Sequence, residues 1–207
     1  MNQSPPPVVY AGLLERLRNL PAANVGDAMD RLNVLSSAIR PVWAGARIVG
    51  PARTVQVPGG DNNGLRAALD QAQPGEVIVV AAGGYADRAL LGELIGERAI
   101  SAGVAGFVVD GAVRDAEDLG EIGLPVFARG TSPAGPYHDG PYRLDVPVAC
   151  ANVAVCPGDV IVGDADGVVV VPAADAEAVT TAAEAVHADE AGRRERILAA
   201  RKTEATS

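Results

Sequence analysis

Three short apolar runs, each reached through a helical segment and a turn, constrain this chain more than any other feature. Leu65 to Gln73 has helical spacing, Pro74-Gly75 turns the chain, and Val77 to Ala81 is continuously apolar. Ala89 to Ala102 reads as the next helix, Gly103 as its turn and Ala105 to Val109 as the next strand. Asp115 to Ile122 and Pro125 to Ala128 repeat the pattern once more. Short strands without polar alternation are buried on both faces. Helices between them serve as crossovers, so the expectation is an α/β fold with parallel pairing.

The flanks are less regular. Thr54-Val55-Gln56-Val57 alternates like a half-buried strand before Pro58-Gly59-Gly60. Across residues 129–172, Pro and Gly punctuate short β runs, which predicts an antiparallel-rich second half. Pro157-Gly158-Asp159-Val160-Ile161-Val162 echoes Pro74-Gly75-Glu76-Val77-Ile78-Val79, read here as shared turn chemistry rather than duplication. Gly167 to Val171 is a last strand. From Ala173 to about Lys202 the chain is one long helix, whose thin stripe of Ala178, Ala182, Ala185 and Val186 suits packing on a partner subunit. At the front, Leu13, Leu14, Leu17 and Leu20 recur at helical spacing until Pro21. Asn24 and Asp27 read as the N-cap and third residue of a short helix through Leu32. Residues 1–9 form a Pro-rich, flexible lead, and residues 10–207 read as a single domain.

Composition removes several function classes. A chain of 207 residues with 48% hydrophobic side chains can build a core, which excludes disorder as the whole answer. The net charge is −9 and the one lysine is Lys202, a poor balance for nucleic acid. No apolar stretch reaches the roughly 20 residues of a membrane span, and no basic-then-apolar leader precedes the chain, so a cytoplasmic protein without membrane partners is expected. Cys150 and Cys156 read as small core residues. Lys202 lies in a polar tail, unsuited to a buried Schiff base, and His138 and His187 cannot build a His-rich zinc site. A metal here would be held by carboxylate and water oxygens, which favours Mg²⁺ or Mn²⁺.

The densest chemistry runs from Gly83 to Asp118. Gly83-Gly84, between a strand and a helix, either admits an anion to backbone N–H groups or serves packing. Asp110 to Asp115 follow the strand Ala105 to Val109, where open α/β folds place their ligand crevice. Arg114 offers a planar fork for a carboxylate, or bonds surface carbonyls. Asp115 offers a hard oxygen ligand, or caps the following helix with Asp118 at its third position. His138 reads as a loop residue, Trp43 as core or interface, Asp164 and Asp166 as a turn, and Tyr85 as a candidate pocket wall.

Gly92-Glu93-Leu94-Ile95, the run Gly106 to Asp115 and Pro125-Val126-Phe127-Ala128-Arg129-Gly130 together resemble the 4-hydroxy-4-methyl-2-oxoglutarate aldolase family, which includes the regulator of ribonuclease activity A. The resemblance extends from about Val25-Gly26-Asp27-Ala28 to Asp166-Gly167-Val168-Val169. Its aldolase motif, an acidic residue, twenty intervening positions and Arg-Asp, is met by Glu93 and Arg114-Asp115. It implies a class II, divalent-metal-dependent aldolase that releases pyruvate, with oxaloacetate decarboxylation through the same metal-stabilised enolate. Carried over, Asp115 ligates Mg²⁺ or Mn²⁺ and Glu93 holds a metal-bound water. Arg114 binds substrate oxygens, and Gly92, Leu94 and Ile95 form the substrate site, with the last two N–H groups receiving the pyruvyl carboxylate. Asp61-Asn62 matches a Gly-Asp-Asn stretch of the family without an assigned role. The resemblance further implies an αββα sandwich with a mixed sheet, similar to swivelling phosphohistidine-like domains, assembled as a homotrimer or dimer of trimers. An acidic residue of the C-terminal helix would reach a neighbouring site, with Glu190 the candidate and Asp189 or Glu195 close alternatives. The alternative within the family is a non-catalytic, protein-binding regulator of ribonuclease E; the presence of Glu93 favours the enzyme. A related enzyme for another 2-oxo acid is a third reading.

Overall fold

A computed structural model describes residues 10–204, so the predicted N-terminal lead lies outside the described residues. The chain opens with α1 (Tyr10–Arg18) and α2 (Ala22–Asp27), then β1 (Arg40–Pro41) and β2 (Ile48–Gln56). Next come α3 (Asn63–Gln71), β3 (Val77–Ala81), α4 (Glu93–Ser101), β4 (Gly106–Val113), α5 (Ala116–Glu121) and β5 (Val126–Thr131). The second half holds β6 (Arg143–Leu144), β7 (Val148–Cys150), β8 (Val153–Val155), β9 (Val160–Asp164) and β10 (Gly167–Val171), before α6 (Ala176–Glu204).

The main sheet has the order β1-β5-β4-β3-β2-β9-β10, with β6 also paired to β2. The centre is parallel, β2 to β3 to β4 to β5, as the helical crossovers require, whereas β9 and β10 add as an antiparallel hairpin. The two edges approach each other: residues 33–35 bond to β10, and Arg40 at the start of β1 reaches the Asp166 carbonyl at 3.1 Å. The sheet is therefore mixed and nearly closed.

Strand alternation divides the core into three layers. In β3, Ile78 and Val80 face an outer cluster under α3, α4 and α5, while Val77, Val79 and Ala81 face an inner one with the β7–β8 hairpin. In β9 and β10 the inner cluster receives Ile161, Val168 and Val170. Val160, Val162, Val169 and Val171 meet α1, α2 and α6 on the other outside. Period-two side chains with helices on both outer faces explain why these strands carry so few polar residues.

Several expectations shift. The helix anticipated from Ala89 starts at Glu93. Residues 89–91 stay out of the helix because Ala89 N–H bonds Ala134 O and Leu90 N–H bonds Ala112 O. Asn24 is no N-cap; α2 starts at Ala22 and ends at Asp27, and Asn24 is buried inside it. Cys150 is core, but Cys156 is exposed. Burial, and then the nearby Asp110 carboxylate, push the Cys150 thiol up to about 12. On α6, after a 3-10 turn at Ala173–Asp175, the buried stripe is Ala176, Val179, Thr180 and Ala183. Ala178, Ala182 and Ala185 lie exposed on another face, where the expected packing on a partner subunit is left open. No helix among the described residues is long and apolar enough to cross a membrane.

Candidate active site

The carboxyl ends of β3 and β4 converge on a cleft of about 320 Å³ that brings together Gly92, Leu94, Ile95, Arg114 and Asp115. A shallower groove of about 510 Å³ adjoins it and shares Arg114 and Asp115. The chain builds this junction by continuing β4 through Asp110-Gly111 to Val113, four residues further than the apolar run predicts. Asp110 tolerates burial because Arg129 Nε donates to one carboxylate oxygen and Ala151 N–H to the other.

At the end of β4, Arg114 N–H bonds Leu91 O at 3.0 Å and Asp115 turns into the left-handed region, φ 55° and ψ 47°. For a residue other than Gly that conformation costs about 1 kcal/mol. It swings the Asp115 carboxylate away from α5, which it precedes without a side-chain cap, toward α4. There Oδ2 accepts the Glu93 N–H at 3.0 Å and lies 3.5 Å from Arg114 Nε. The expected cap on α5 is therefore not made, and the carboxylate is spent on the first N–H of α4 instead. Gly92 is required at this contact, since a Cβ there would overlap the Asp115 carboxylate.

Four groups at this junction remain unpaired among the described residues. No hydrogen bond reaches Asp115 Oδ1. Glu93 N–H is used by Asp115 and Gly96 N–H by Gly92 O, which leaves the Leu94 and Ile95 N–H groups without acceptors at the start of α4. The Glu93 carboxylate is exposed, makes no hydrogen bond or ion pair, and is not among the residues lining the cleft. Free N–H groups at a helix start, with the helix dipole behind them, form an anion seat.

The opposite wall holds one residue that the sequence marked without a role, Asn62, and others that it did not place in the site. Asn62, Arg66, Gly135, Pro136 and His138 line it. Asn62 is buried, with Nδ2 donating to Leu90 O at 3.1 Å and Oδ1 meeting His138 Nδ1 at 2.9 Å. Asp61 beside it is spent on the turn, accepting Asn63 N–H and Gly140 N–H. Sequence offered one signal, the Asp61-Asn62 pair; the approach of His138 had none, because its partner lies 76 positions away. Tyr85 packs on Gly59 and Gly60 outside the cleft lining, and Trp43 donates to Leu124 O at 2.7 Å against the core. Asp164 makes a turn contact, accepting Asp166 N–H at 3.0 Å.

Glu190 is engaged within its own chain, accepting from Asn24 Nδ2 at 2.8 Å, with His187 on the same Asn24. Asp189 pairs with Arg193, while Glu195 has no partner among the described residues.

A family description, RraA-like (Aldolase/RraA), matches residues 22–170. The chain belongs to the RraA-like family. A protein of Halalkalibacterium halodurans named "Putative 4-hydroxy-4-methyl-2-oxoglutarate aldolase" is 42% identical over 184 residues, 89% of this chain and 88% of that protein. Among solved structures, Streptomyces coelicolor RraAS2, described as an unusual member of the RNase ES inhibitor RraA protein family, is similar with TM-score 0.82. It is 33% identical, with 93% of this chain and 99% of that one covered. The RNA-processing inhibitor RraA of Thermus thermophilus has TM-score 0.67 at 32% identity, covering 73% and 92%. The RraA-like family therefore includes proteins named as putative aldolases and proteins named as inhibitors.

The donor set at the Asp115 junction fits one kind of metal. Among the described residues no group of three or more His, Cys, Asp or Glu could hold an ion. One carboxylate oxygen left open beside an anion seat matches the habit of Mg²⁺ or Mn²⁺, which take one or two carboxylates and otherwise water and substrate oxygens. Zinc or calcium would need a fuller protein cage.

Proposed function

We propose that this protein is a divalent-metal-dependent aldolase, cleaving 4-hydroxy-4-methyl-2-oxoglutarate-type 2-oxo acids to pyruvate in the cytoplasm, with oxaloacetate decarboxylation as a companion activity. The observation that carries the reading is the meeting, in one cleft, of two free helix N–H groups, a half-exposed guanidinium and a carboxylate with an open oxygen. The Leu94 and Ile95 N–H groups bind the pyruvyl carboxylate, with Gly92 letting the chain approach Asp115 closely enough to set them. Arg114, already fixed through its backbone to Leu91, balances negative charge that develops as the C–C bond breaks. A Mg²⁺ or Mn²⁺ ion at Asp115 would supply Lewis-acid stabilisation of charge on the substrate's keto oxygen. Glu93 stands between two lining residues with its carboxylate unspent, free to hold a water for proton exchange.

The reading extends to assembly as a homotrimer or dimer of trimers, with an acid of α6 at a neighbour's cleft. Glu190 takes that role only by leaving Asn24; Glu195 needs no such release.

Pyruvate release from 4-hydroxy-4-methyl-2-oxoglutarate and from oxaloacetate, measured with Mg²⁺ and after chelation, tests this directly. Chelation and Asp115→Ala should abolish turnover, and Glu93→Gln should reduce it strongly with folding intact. Full activity in chelated protein or in both variants overturns the reading. The names of the similar RraA structures support a second reading, a regulator of ribonuclease E. Capture of ribonuclease E by a protein without pyruvate-forming activity would establish it instead.

A further inference from the structure

We propose that Arg66 and His138 form a second subsite across the cleft from Arg114 and Asp115, which receives the half of the substrate beyond the pyruvyl unit. In it Arg66 pairs with a carboxylate and His138 accepts a hydrogen bond from the hydroxyl. The proposal rests on the aldolase reading and specifies which substrates that site prefers.

The wall that carries them is built to hold position. Tyr137 N–H bonds Gly60 O at 2.8 Å, Asn62 N–H bonds Tyr137 O at 3.0 Å, and Arg88 both donates to Gly135 O at 2.7 Å and stacks 4.3 Å over the Tyr137 ring. Buried Asn62 then sets the imidazole. Its Nδ2 is committed to the Leu90 carbonyl, so Oδ1 is the acceptor and His138 Nδ1 must carry the hydrogen. The remaining ring nitrogen, Nε2, has no partner among the described residues and is an acceptor in the neutral ring, matched to a hydroxyl.

Arg66 follows one turn later on α3, its N–H on the Asn62 carbonyl at 3.0 Å. In a chain of net charge −9 it pairs with no carboxylate among the described residues, although it lines the cleft. An unpaired guanidinium facing a small-molecule cleft is suited to a carboxylate brought by the ligand. The pyruvyl unit accounts for the α4 end, and a volume of about 320 Å³ leaves room for a second half reaching this wall.

Three substrates separate the roles: 4-hydroxy-2-oxoglutarate, its analogue 4-hydroxy-2-oxopentanoate with methyl in place of the distal carboxylate, and oxaloacetate, which lacks the hydroxyl. Arg66→Met should lower kcat/KM for the first by about tenfold to a hundredfold, the worth of a charge-assisted hydrogen bond, and leave the second near wild type. His138→Phe should lower both hydroxy acids and spare oxaloacetate decarboxylation, which also reports an intact cleft. Oxalate, which fills the pyruvyl end, should bind Arg66→Met with Mn²⁺ as tightly as wild type in calorimetry. An active wild type whose Arg66→Met variant loses equally on both hydroxy acids, or whose His138→Phe variant loses equally on oxaloacetate, overturns the subsite alone. A wild type inert on all three overturns the aldolase reading and this proposal with it.

Discussion

The two ends of the parallel sheet solve the same problem in opposite ways. At the amino end, every buried acid has its donors. Glu76 accepts from Arg53 at 2.7 Å and from Gln73 N–H at 2.8 Å, and Asp159 accepts from Cys156 N–H and Ala173 N–H. Burial alone would lower the Arg53 pKa, but the carboxylates of Glu76 and Asp145 outweigh it and leave it raised. At the carboxyl end, among the described residues, Asp115 keeps an open oxygen, two helix N–H groups lack acceptors, and the Arg66 guanidinium pairs with no carboxylate. On the proposed aldolase reading, the first end holds the fold, and the second leaves solvent-facing polar groups for a ligand to complete.

The sharpest way to break that comparison is Asp115→Asn. Asn tolerates the left-handed backbone and retains an oxygen for the Glu93 N–H, while removing the charge. Turnover should fall by about 10²–10³-fold or more with thermal stability nearly unchanged. A variant that loses stability in proportion to activity would mean that Asp115 belongs to the scaffold.

The converse test is Arg53→Met at the amino end. It strands Glu76, 10% exposed, without its charge partner, and urea denaturation should register a loss of about 3 kcal/mol. Pyruvate formation by the folded fraction should be unchanged. Between the two lies Gly92→Ala. Gly92 has an extended backbone, φ −153°, which alanine adopts freely, so backbone strain is not at stake. The added Cβ meets the Asp115 carboxylate and Arg114 Cγ. A displacement of that kind should cost about 10²-fold in kcat/KM, with little change in the urea midpoint.

Local pattern made the scaffold end legible. Val77 to Ala81 is β3 residue for residue, and the turns at Pro74-Gly75 and Pro157-Gly158 both carry glycines with positive φ, 85° and 88°. The carboxyl end was legible only in part. Arg114, Asp115, Leu94 and Ile95 do meet, but the start of α4 was misread because Ala89-Leu90-Leu91 are good helix formers whose first two N–H groups are taken by Ala134 and Ala112. Asp110 looked like the end of a strand because its partners, Arg129 and Ala151, lie far along the chain. Asn24 was misjudged for the same reason, and His138 sits in a loop as expected but reaches the cleft through a partner far along the chain. Both owe their places to long-range hydrogen bonds, which no periodicity announces.

The smallest effect comes from the periphery, where an acid is satisfied yet exposed. Arg16 on α1 holds Glu177 at 2.6 Å and Glu184 at 2.8 Å on α6. The hydrogen bond from Arg16 lowers the Glu184 pKa below its ordinary 4.5. A carboxylate whose pKa is depressed in the folded state contributes stability above its unfolded pKa, and that contribution fades as pH falls through the folded value. Arg16→Gln should therefore leave wild type slightly more stable near neutrality, with the gap closing below pH 4.5 in paired urea titrations. Solvent screens an exposed pair, so the gap should be well under that of Arg53→Met. A gap that persists unchanged in acid would assign the contact to packing of the Arg16 stem on α6 rather than to charge, and would leave the Arg53–Glu76 pair as the charge interaction that holds the scaffold.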